Sequence, residues 1–292
     1  MSRSDRREAP SRVVLVTGCS SGIGAATAAH LVGRGWTVYA TARRIETLAR
    51  LAAMGCRVLA LDVTSEESIR TAIATIESEH GSVGVLVNNA GYSQSGAIES
   101  VPLERVRDQF ETNVFGLARL IQLVLPGMRR QRWGRIVNLS SMGGKLVFPG
   151  GGYYHATKFA VEALSDALRF EVQGFNIEVI VVQPGLIRSG FSDAAVSAMT
   201  AEAEGDDPYA AFNAAVARST KEAYEKGPFA RLAGTPDDVA RVIAKAISAK
   251  RPRTRYTVSP SATVLLTLRR ILSDRLWDRL VGGSFPQPGR ST

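Results

Sequence analysis

The 292-residue sequence predicts a single α/β domain built on an open, doubly wound parallel sheet of about seven strands. Three observations carry that expectation. Short β-branched runs alternate with longer helical patterns along most of the chain. Each run is apolar almost throughout, as in strands buried on both faces, where a half-solvated strand would alternate. A glycine-rich turn separates the first run from the first helical pattern. At roughly 150 residues per domain the length suggests two units, but α/β folds often pass 250 residues as one. Hydrophobic residues at 45% and charged residues at 22% exclude disorder, collagen-like repeats and a disulfide scaffold.

In chain order, Val13–Thr17, Thr37–Thr41, Arg57–Leu61, Val83–Val87, Arg135–Leu139 and Glu178–Val182 read as strands. A seventh near Arg255–Val258 is kept short by Pro252 and Pro260. Helical spacing covers Gly22–Gly33, Arg44–Met54, Ser65–Glu79, Leu103–Arg130 and Tyr153–Gly174. Thr64 and Glu67 have the spacing of a capping box, and Thr235-Pro236 gives an N-cap with Pro at N1. Strand–helix alternation specifies right-handed crossovers. Two stretches break the rhythm. Ala-rich Ser189–Ala230 follows the last strong strand, where an α/β sheet places its ligand crevice, and reads as a helical lid; the alternative is a packing insertion without substrate contact. In Ser261–Val281, Leu265, Leu268, Leu272, Leu276 and Leu280 form a stripe with Arg269, Arg270, Arg275 and Arg279 largely off it. That pattern predicts a basic amphipathic helix in a C-terminal extension, 261–292, beyond a single α/β body at 13–260.

The net charge is +9, but residues 1–12 contribute +2 and residues 251–292 contribute +6, leaving a nearly neutral body. Nucleic-acid binding, which wants a basic face on the folded domain, is therefore not expected. The basic tail leaves open peripheral contact with an anionic membrane surface; the competing expectation is a helix packed on its own domain or at an oligomer interface. His30, His80 and His155 lie too far apart for a zinc-type cluster, so no metal is expected. No run reaches about 18 apolar residues and no secretory core is visible, and the two cysteines suit a reducing compartment, so a cytoplasmic protein is expected.

Directly after the first strand comes Thr17-Gly18-Cys19-Ser20-Ser21-Gly22-Ile23-Gly24. Glycines there let the backbone turn tightly and approach a pyrophosphate, whose charge sits well at a helix N-terminus. The Gly-x-x-x-Gly-x-Gly spacing differs from the commoner Gly-x-Gly-x-x-Gly, but its place between strand and helix makes it a dinucleotide signal. At the end of the second strand an NAD site would carry an acid for the ribose 2′-hydroxyl. Here the chain reads Thr41-Ala42-Arg43-Arg44. An acid would repel a 2′-phosphate, whereas Arg43 would bind it, so NADP(H) is expected ahead of NAD(H). Arg44 reads as a solvated neighbour.

Tyr154 and Lys158 lie four apart in a helical stretch and share one face. A free tyrosine titrates near 10, and a nearby ammonium together with an oxidised nicotinamide would favour its phenolate. Such a residue exchanges a proton with an alcohol or a developing alkoxide. Tyr153, facing Thr157, reads as packing. Together with Asp62-Val63, Asn88-Asn89-Ala90-Gly91, Asn113, Ser140-Ser141 and Pro184-Gly185, these motifs resemble the single-domain branch of the short-chain dehydrogenase/reductase family across residues 12–190. The resemblance implies a Rossmann-like fold, Asp62 and Val63 at the adenine, and Asn89, Ala90 and Gly91 supporting the nucleotide. It also implies Ser141 on the substrate oxygen, Asn113 anchoring a proton-relay water to Lys158, and Pro184, Gly185, Ile187 and Ser189 closing over the nicotinamide. A homodimer or homotetramer, packed through helices 103–130 and 153–174, is implied as well.

The glycine loop with Tyr39-Ala40-Thr41-Ala42-Arg43 further resembles 17β-hydroxysteroid and retinol dehydrogenase-type members. This implies a small lipophilic alcohol or ketone substrate, and the expected pocket wall is the stretch Leu146–Tyr153 with the Ala-rich lid, including Leu146, Val147, Phe148, Phe191 and Met199. The competing reading is a catalytically idle NADP(H)-binding regulator on the same fold, against which the intact Ser–Tyr–Lys set stands.

Overall fold

In a computed structural model of the chain, residues 11–190, 208–226, 230–283 and 285–288 are described. Seven parallel strands form one sheet: β1 (Val13–Val16), β2 (Thr37–Ala42), β3 (Arg57–Ala60), β4 (Val85–Asn88), β5 (Gly134–Leu139), β6 (Ile177–Pro184) and β7 (Arg255–Val258), in the order β3-β2-β1-β4-β5-β6-β7. The chain reverses its direction of travel across the sheet between β1 and β4, which opens a crevice at their C-terminal ends. Alternate strand residues enter separate cores. Val14 and Val16 pack with Leu31, Val239 and Ile243, whereas Val13 and Leu15 pack with Ile73, Leu120 and Val161. Burial on both faces of the inner strands is why they carry no polar alternation, whereas the edge strands β3 and β7 are partly exposed.

The helices are α1 (Gly22–Val32), α2 (Ala49–Ala53), α3 (Glu66–His80), α4 (Leu103–Phe110), α5 (Gly116–Gln131), α6 (Gly152–Val172), α7 (Ala210–Glu225), α8 (Pro236–Ser248), α9 (Pro260–Ile271) and α10 (Asp274–Gly282). Several expectations need correction. Residues 44–54 form a 3-10 turn, Ile45–Leu48, running into the short α2, with Leu48 and Leu51 as their buried residues. The cap of α3 is Ser65, whose hydroxyl accepts from Ser68 N–H at 3.3 Å. Thr64 instead donates to Asp62 Oδ1 at 2.8 Å, so no Thr64–Glu67 box forms. Thr235 caps α8 as expected, and Asp238 completes the box by accepting from Thr235 N–H at 2.7 Å. A π-helical turn, Glu111–Phe115, joins α4 to α5.

The single C-terminal helix expected over 261–281 is two. The chain leaves α9 in extended backbone at Leu272 and re-enters at α10 behind Ser273. Breaking there turns Trp277 inward against Met142, Leu146, Leu186 and Leu265. It also leaves Leu276 and Leu280 exposed, off the buried stripe. The basic extension thus packs on its own domain. Of the expected lid, residues 191–207 and 227–229 lie outside the described residues, with Phe191 and Met199 among them; the described part is α7. The outer face of α6 keeps Leu164 and Phe170 exposed, and Phe115 in the turn before α5 is exposed as well.

One buried ionic knot ties β6, β7 and the turn after β5 to α6. Glu162, nearly inaccessible, accepts from Gln183 Nε2 and Arg255 Nε, each at 2.9 Å, and pairs with Lys145 at 3.3 Å. Removing one partner of a buried pair leaves the others uncompensated. Because Lys145 and Arg255 keep partial access to water, Glu162→Leu is expected to cost about 2 kcal/mol, below the full buried-pair range. A urea midpoint unchanged from wild type would refute this.

Candidate active site

The turn after β1 is shaped by contacts that a side chain would forbid. Gly18 has φ +70°, and a Cβ on it would meet Ala90 Cα at 2.9 Å. A Cβ on Gly24 would overlap the Gly18 carbonyl oxygen and crowd Asn89 Nδ2 at 2.5 Å. The first turn of α1 is therefore pressed onto the strand end. Ser21, its N-cap, makes no side-chain cap bond, so the N-terminal donors of α1 are left to a ligand. Across the crevice, Asn89 Nδ2 donates to the carbonyls of Thr17 at 2.9 Å and Gly18 at 3.0 Å. The Thr17 hydroxyl accepts from Asn89 and Ala90 N–H, both at 3.0 Å. These bonds stitch β1 to β4 where the sheet splits, a role for Thr17 beyond its place at the head of the glycine loop.

One cleft of about 1210 Å3 runs along this seam, lined by Gly18, Ser20, Ser21, Gly22, Ile23, Arg43, Asp62 and Val63 at one end. Asn89, Ala90, Gly91, Ser141, Tyr154, Lys158, Pro184, Gly185, Ile187 and Ser189 line it further on. Gly24 lies behind the loop and acts through its shape. Arg43 and Arg44 are both exposed, but only Arg43 borders the cleft. A nicotinamide dinucleotide fits this lining: a glycine turn and uncapped helix end for the diphosphate, and an arginine with no acid at the tip of β2. The cysteine in the loop is inert, since Cys19 is buried and its thiol is pushed up to about 12.

Ser141, Tyr154 and Lys158 meet at the C-terminal end of β5. Ser141 lies in the turn after the strand, its Oγ accepting from Gly143 N–H at 3.0 Å and hydrogen-bonded to the Tyr154 side chain. Lys158 Nζ donates to Leu139 O at 2.8 Å and lies 5.7 Å from the Tyr154 ring centre. Asn113, placed by the π-helical turn, uses both amide donors, to Tyr92 O at 2.9 Å and the Thr157 hydroxyl at 3.1 Å. Its Oδ1 accepts from Tyr92 N–H at 3.1 Å, leaving one acceptor lone pair. A Cβ on Gly91 would touch Asn113 Oδ1 at 3.0 Å and approach Lys158 Nζ at 3.8 Å, so the glycine lets the two sit close together.

His155, which the sequence did not single out, fixes the turn that carries Ser141. Its Nδ1 lies 3.0 Å from Gly143 O and its Nε2 accepts from Phe148 N–H at 3.2 Å, a pairing that demands the neutral ring. Burial pulls its pKa down in the same sense. Held there, Phe148 reaches the cleft, while Leu146 goes into the core and Val147 is exposed away from it. Of the expected wall, Phe148, Pro149, Gly150 and Gly151 line the cleft, as does the described helix of the Ala-rich stretch, whereas Leu146 and Val147 do not. That helix, α7, contributes Val216 and Tyr224, and the remainder comes from Leu265, Leu268, Trp277 and Val281 on α9 and α10. Gly185 allows this, since a Cβ there would strike Ser259 Oγ at 2.6 Å and Ala262 N at 2.7 Å. Leu186 N–H donates to Ser261 Oγ at 3.1 Å, joining the extension to the loop after β6. Tyr153 is not simply packing: its hydroxyl donates to Ile98 O at 3.1 Å.

The lysine does not by itself bring the tyrosine toward neutrality. Burial pushes the Tyr154 phenol well above 10, and the Ser141 hydrogen bond only partly offsets this. Burial likewise pulls Lys158 down to about 8 from 10.5. Between those two values the unfolded chain binds more protons at this lysine than the folded one, so stability rises with pH across the window. The cofactor-free protein should gain resistance to urea from about pH 8 to 10, and Lys158→Met should flatten that gain. Equal pH slopes for the two proteins would rule it out.

Comparison with known proteins agrees with this geometry. The family model described as short chain dehydrogenase matches residues 12–200. A 3-ketodihydrosphingosine reductase of Bacteroides thetaiotaomicron is 39% identical over 256 residues, covering 87% of this chain and 90% of that protein. Retinol dehydrogenase 8 of Bos taurus is 36% identical over 271 residues, covering 88% and 85%. Among solved structures, a short-chain dehydrogenase from Streptomyces avermitilis superposes with TM-score 0.76 at 35% identity, covering 97% of both chains. A serine dehydrogenase complexed with NADP+ superposes with TM-score 0.73 at 27% identity, covering 85% and 94%. With the glycine turn, the seven-stranded order and this match in agreement, the chain belongs to the short-chain dehydrogenase/reductase family of oxidoreductases.

Proposed function

We propose that this oxidoreductase interconverts a lipophilic alcohol and its ketone or aldehyde with NADP(H), using Tyr154 as general acid and base. The convergence of Ser141, Tyr154 and Lys158 on the cleft carries the reading. When bound, the nicotinamide supplies or accepts the hydride at the substrate carbon. The protein's part concerns the oxygen. In the reducing direction the Tyr154 hydroxyl donates its proton to the developing alkoxide while Ser141 hydrogen-bonds the same atom. The high phenol pKa of the empty cleft keeps that proton in place beforehand. In the oxidising direction Tyr154 must become the base, which calls for additional positive charge beside Lys158.

Two observations support the lipophilic substrate. The inner wall of the cleft is apolar, built from Phe148, Leu186, Leu265, Leu268 and Trp277. Two relatives carry a keto-lipid or retinol in their names. Arg43 at the cleft rim, with no acid at the end of β2, supports NADP(H). The test follows NADPH oxidation at 340 nm on a panel of lipophilic ketones and aldehydes. Tyr154→Phe is expected to lower kcat by about 10²–10⁴-fold with NADPH affinity unchanged. Retained turnover in that variant would overturn the acid/base role. Arg43→Asp is expected to lower the NADPH/NADH preference by about tenfold or more, the worth of one charge-assisted contact. An unaltered ratio would place recognition of the 2′-phosphate elsewhere.

A further inference from the structure

The substrate end of the cleft holds a second tyrosine that the mechanism does not use. Tyr224 stands on α7, on the helix face that also brings Val216, Ser219, Thr220 and Ala223 to the cleft. Its ring packs in the apolar cluster with Leu268, Trp277 and Leu186. A phenylalanine would fill that place equally well. The hydroxyl is what packing leaves unexplained, because among the described residues it makes no hydrogen bond. Burial pushes its pKa up to about 12, so it is a neutral donor and acceptor at any physiological pH. It also lies close enough to Tyr154 for a charge on one to be felt by the other. The residue is only partly buried and borders the cleft, where a phenol hydroxyl of this kind ordinarily meets a water or a ligand. Here the cleft itself is what the hydroxyl has within reach.

Resting on the reductase reading above, we propose that Tyr224 is a specificity residue whose hydroxyl bonds a second oxygen on the substrate, a few bonds from the reacting carbon. The preferred substrate is then a lipophilic ketone carrying a nearby hydroxyl or carbonyl, not an unadorned one. The second group is neutral, because the described residues on that side of the cleft, among them Phe148, Val216, Leu268 and Trp277, include no charged side chain to balance a carboxylate or an ammonium. Tyr154 and Ser141 fix the reacting oxygen and Tyr224 a second point, which together orient the carbonyl face toward the cofactor.

The experiment compares matched ketones of one chain length, plain and with a neighbouring hydroxyl or second carbonyl, in wild type and Tyr224→Phe with NADPH. Wild type is expected to favour the oxygenated ketone in kcat/KM by about tenfold, one hydrogen bond's worth of discrimination. Tyr224→Phe should bring that ratio close to one, chiefly by raising KM for the oxygenated ketone with NADPH affinity unchanged, which a purely structural defect would not do. A wild-type ratio near one, or a ratio that survives the substitution, overturns the role of Tyr224 alone. Absence of turnover on both ketones, with NADPH binding intact, removes the reductase reading and this proposal together.

Discussion

Everything at this site depends on how closely the first helix approaches the end of the first strand. Gly24 lies against the Gly18 carbonyl with no room for a methyl group, and Asn89 fills the remaining space by bonding the Thr17 and Gly18 carbonyls. A bulkier residue at either glycine would lift the N-terminus of α1 from the sheet and turn its donors away from the crevice. The same compression sets the distance between β1 and β4, and hence where Ala90 and Gly91 stand. Gly91 in turn lets Asn113 and Lys158 come together. The glycine turn and the Asn113–Lys158 pair are thus two ends of one chain of close contacts.

Electrostatics in the cleft runs against the chemistry until a ligand arrives. Burial raises Tyr154 and lowers Lys158, so in the empty protein both groups lean toward their neutral forms. The reaction needs a polarised pair. The fold tolerates this because few other bonds depend on the charge: Lys158 keeps its bond to Leu139 O, and Tyr154 its bond to Ser141. Stability is given up where a bound cofactor can restore it, as expected of sites that conflict with the surrounding rules of packing.

The cofactor half was legible in the sequence and the substrate half was not, for a physical reason. Gly18, Gly22, Gly24, Asn89, Tyr154 and Lys158 act through backbone geometry or fixed helical spacing, so their roles survive reduction to a string. The sheet was equally plain, since strands buried on both faces cannot hide their apolar runs. The break at Leu272 was not, because a stripe at three- and four-residue steps fits one long helix as well as two short ones, and only the demand for Trp277 in the core decides. The roles of His155 and Thr17 were invisible for another reason. Each bonds backbone atoms brought near by the fold, and a lone histidine or threonine carries no mark of that.

The substrate wall shows the same limit most sharply. Its members come from the turn after β5, from α7, and from α9 and α10, segments separated by about half the chain. What brings them together is the glycine at 185, which admits the N-terminus of α9 against the loop after β6, with Ser259 at φ +84° turning the chain into that helix. Strain at a non-glycine residue persists only where surrounding contacts over-determine it. Here Ser259 meets Ser261 at 2.8 Å, and Ser261 holds Leu186 N–H. The basic extension is therefore part of the cleft: its apolar side lines it and its arginines remain outside. A change in that extension alters the cleft without touching Ser141, Tyr154 or Lys158, and a shared catalytic set can consequently serve different substrates.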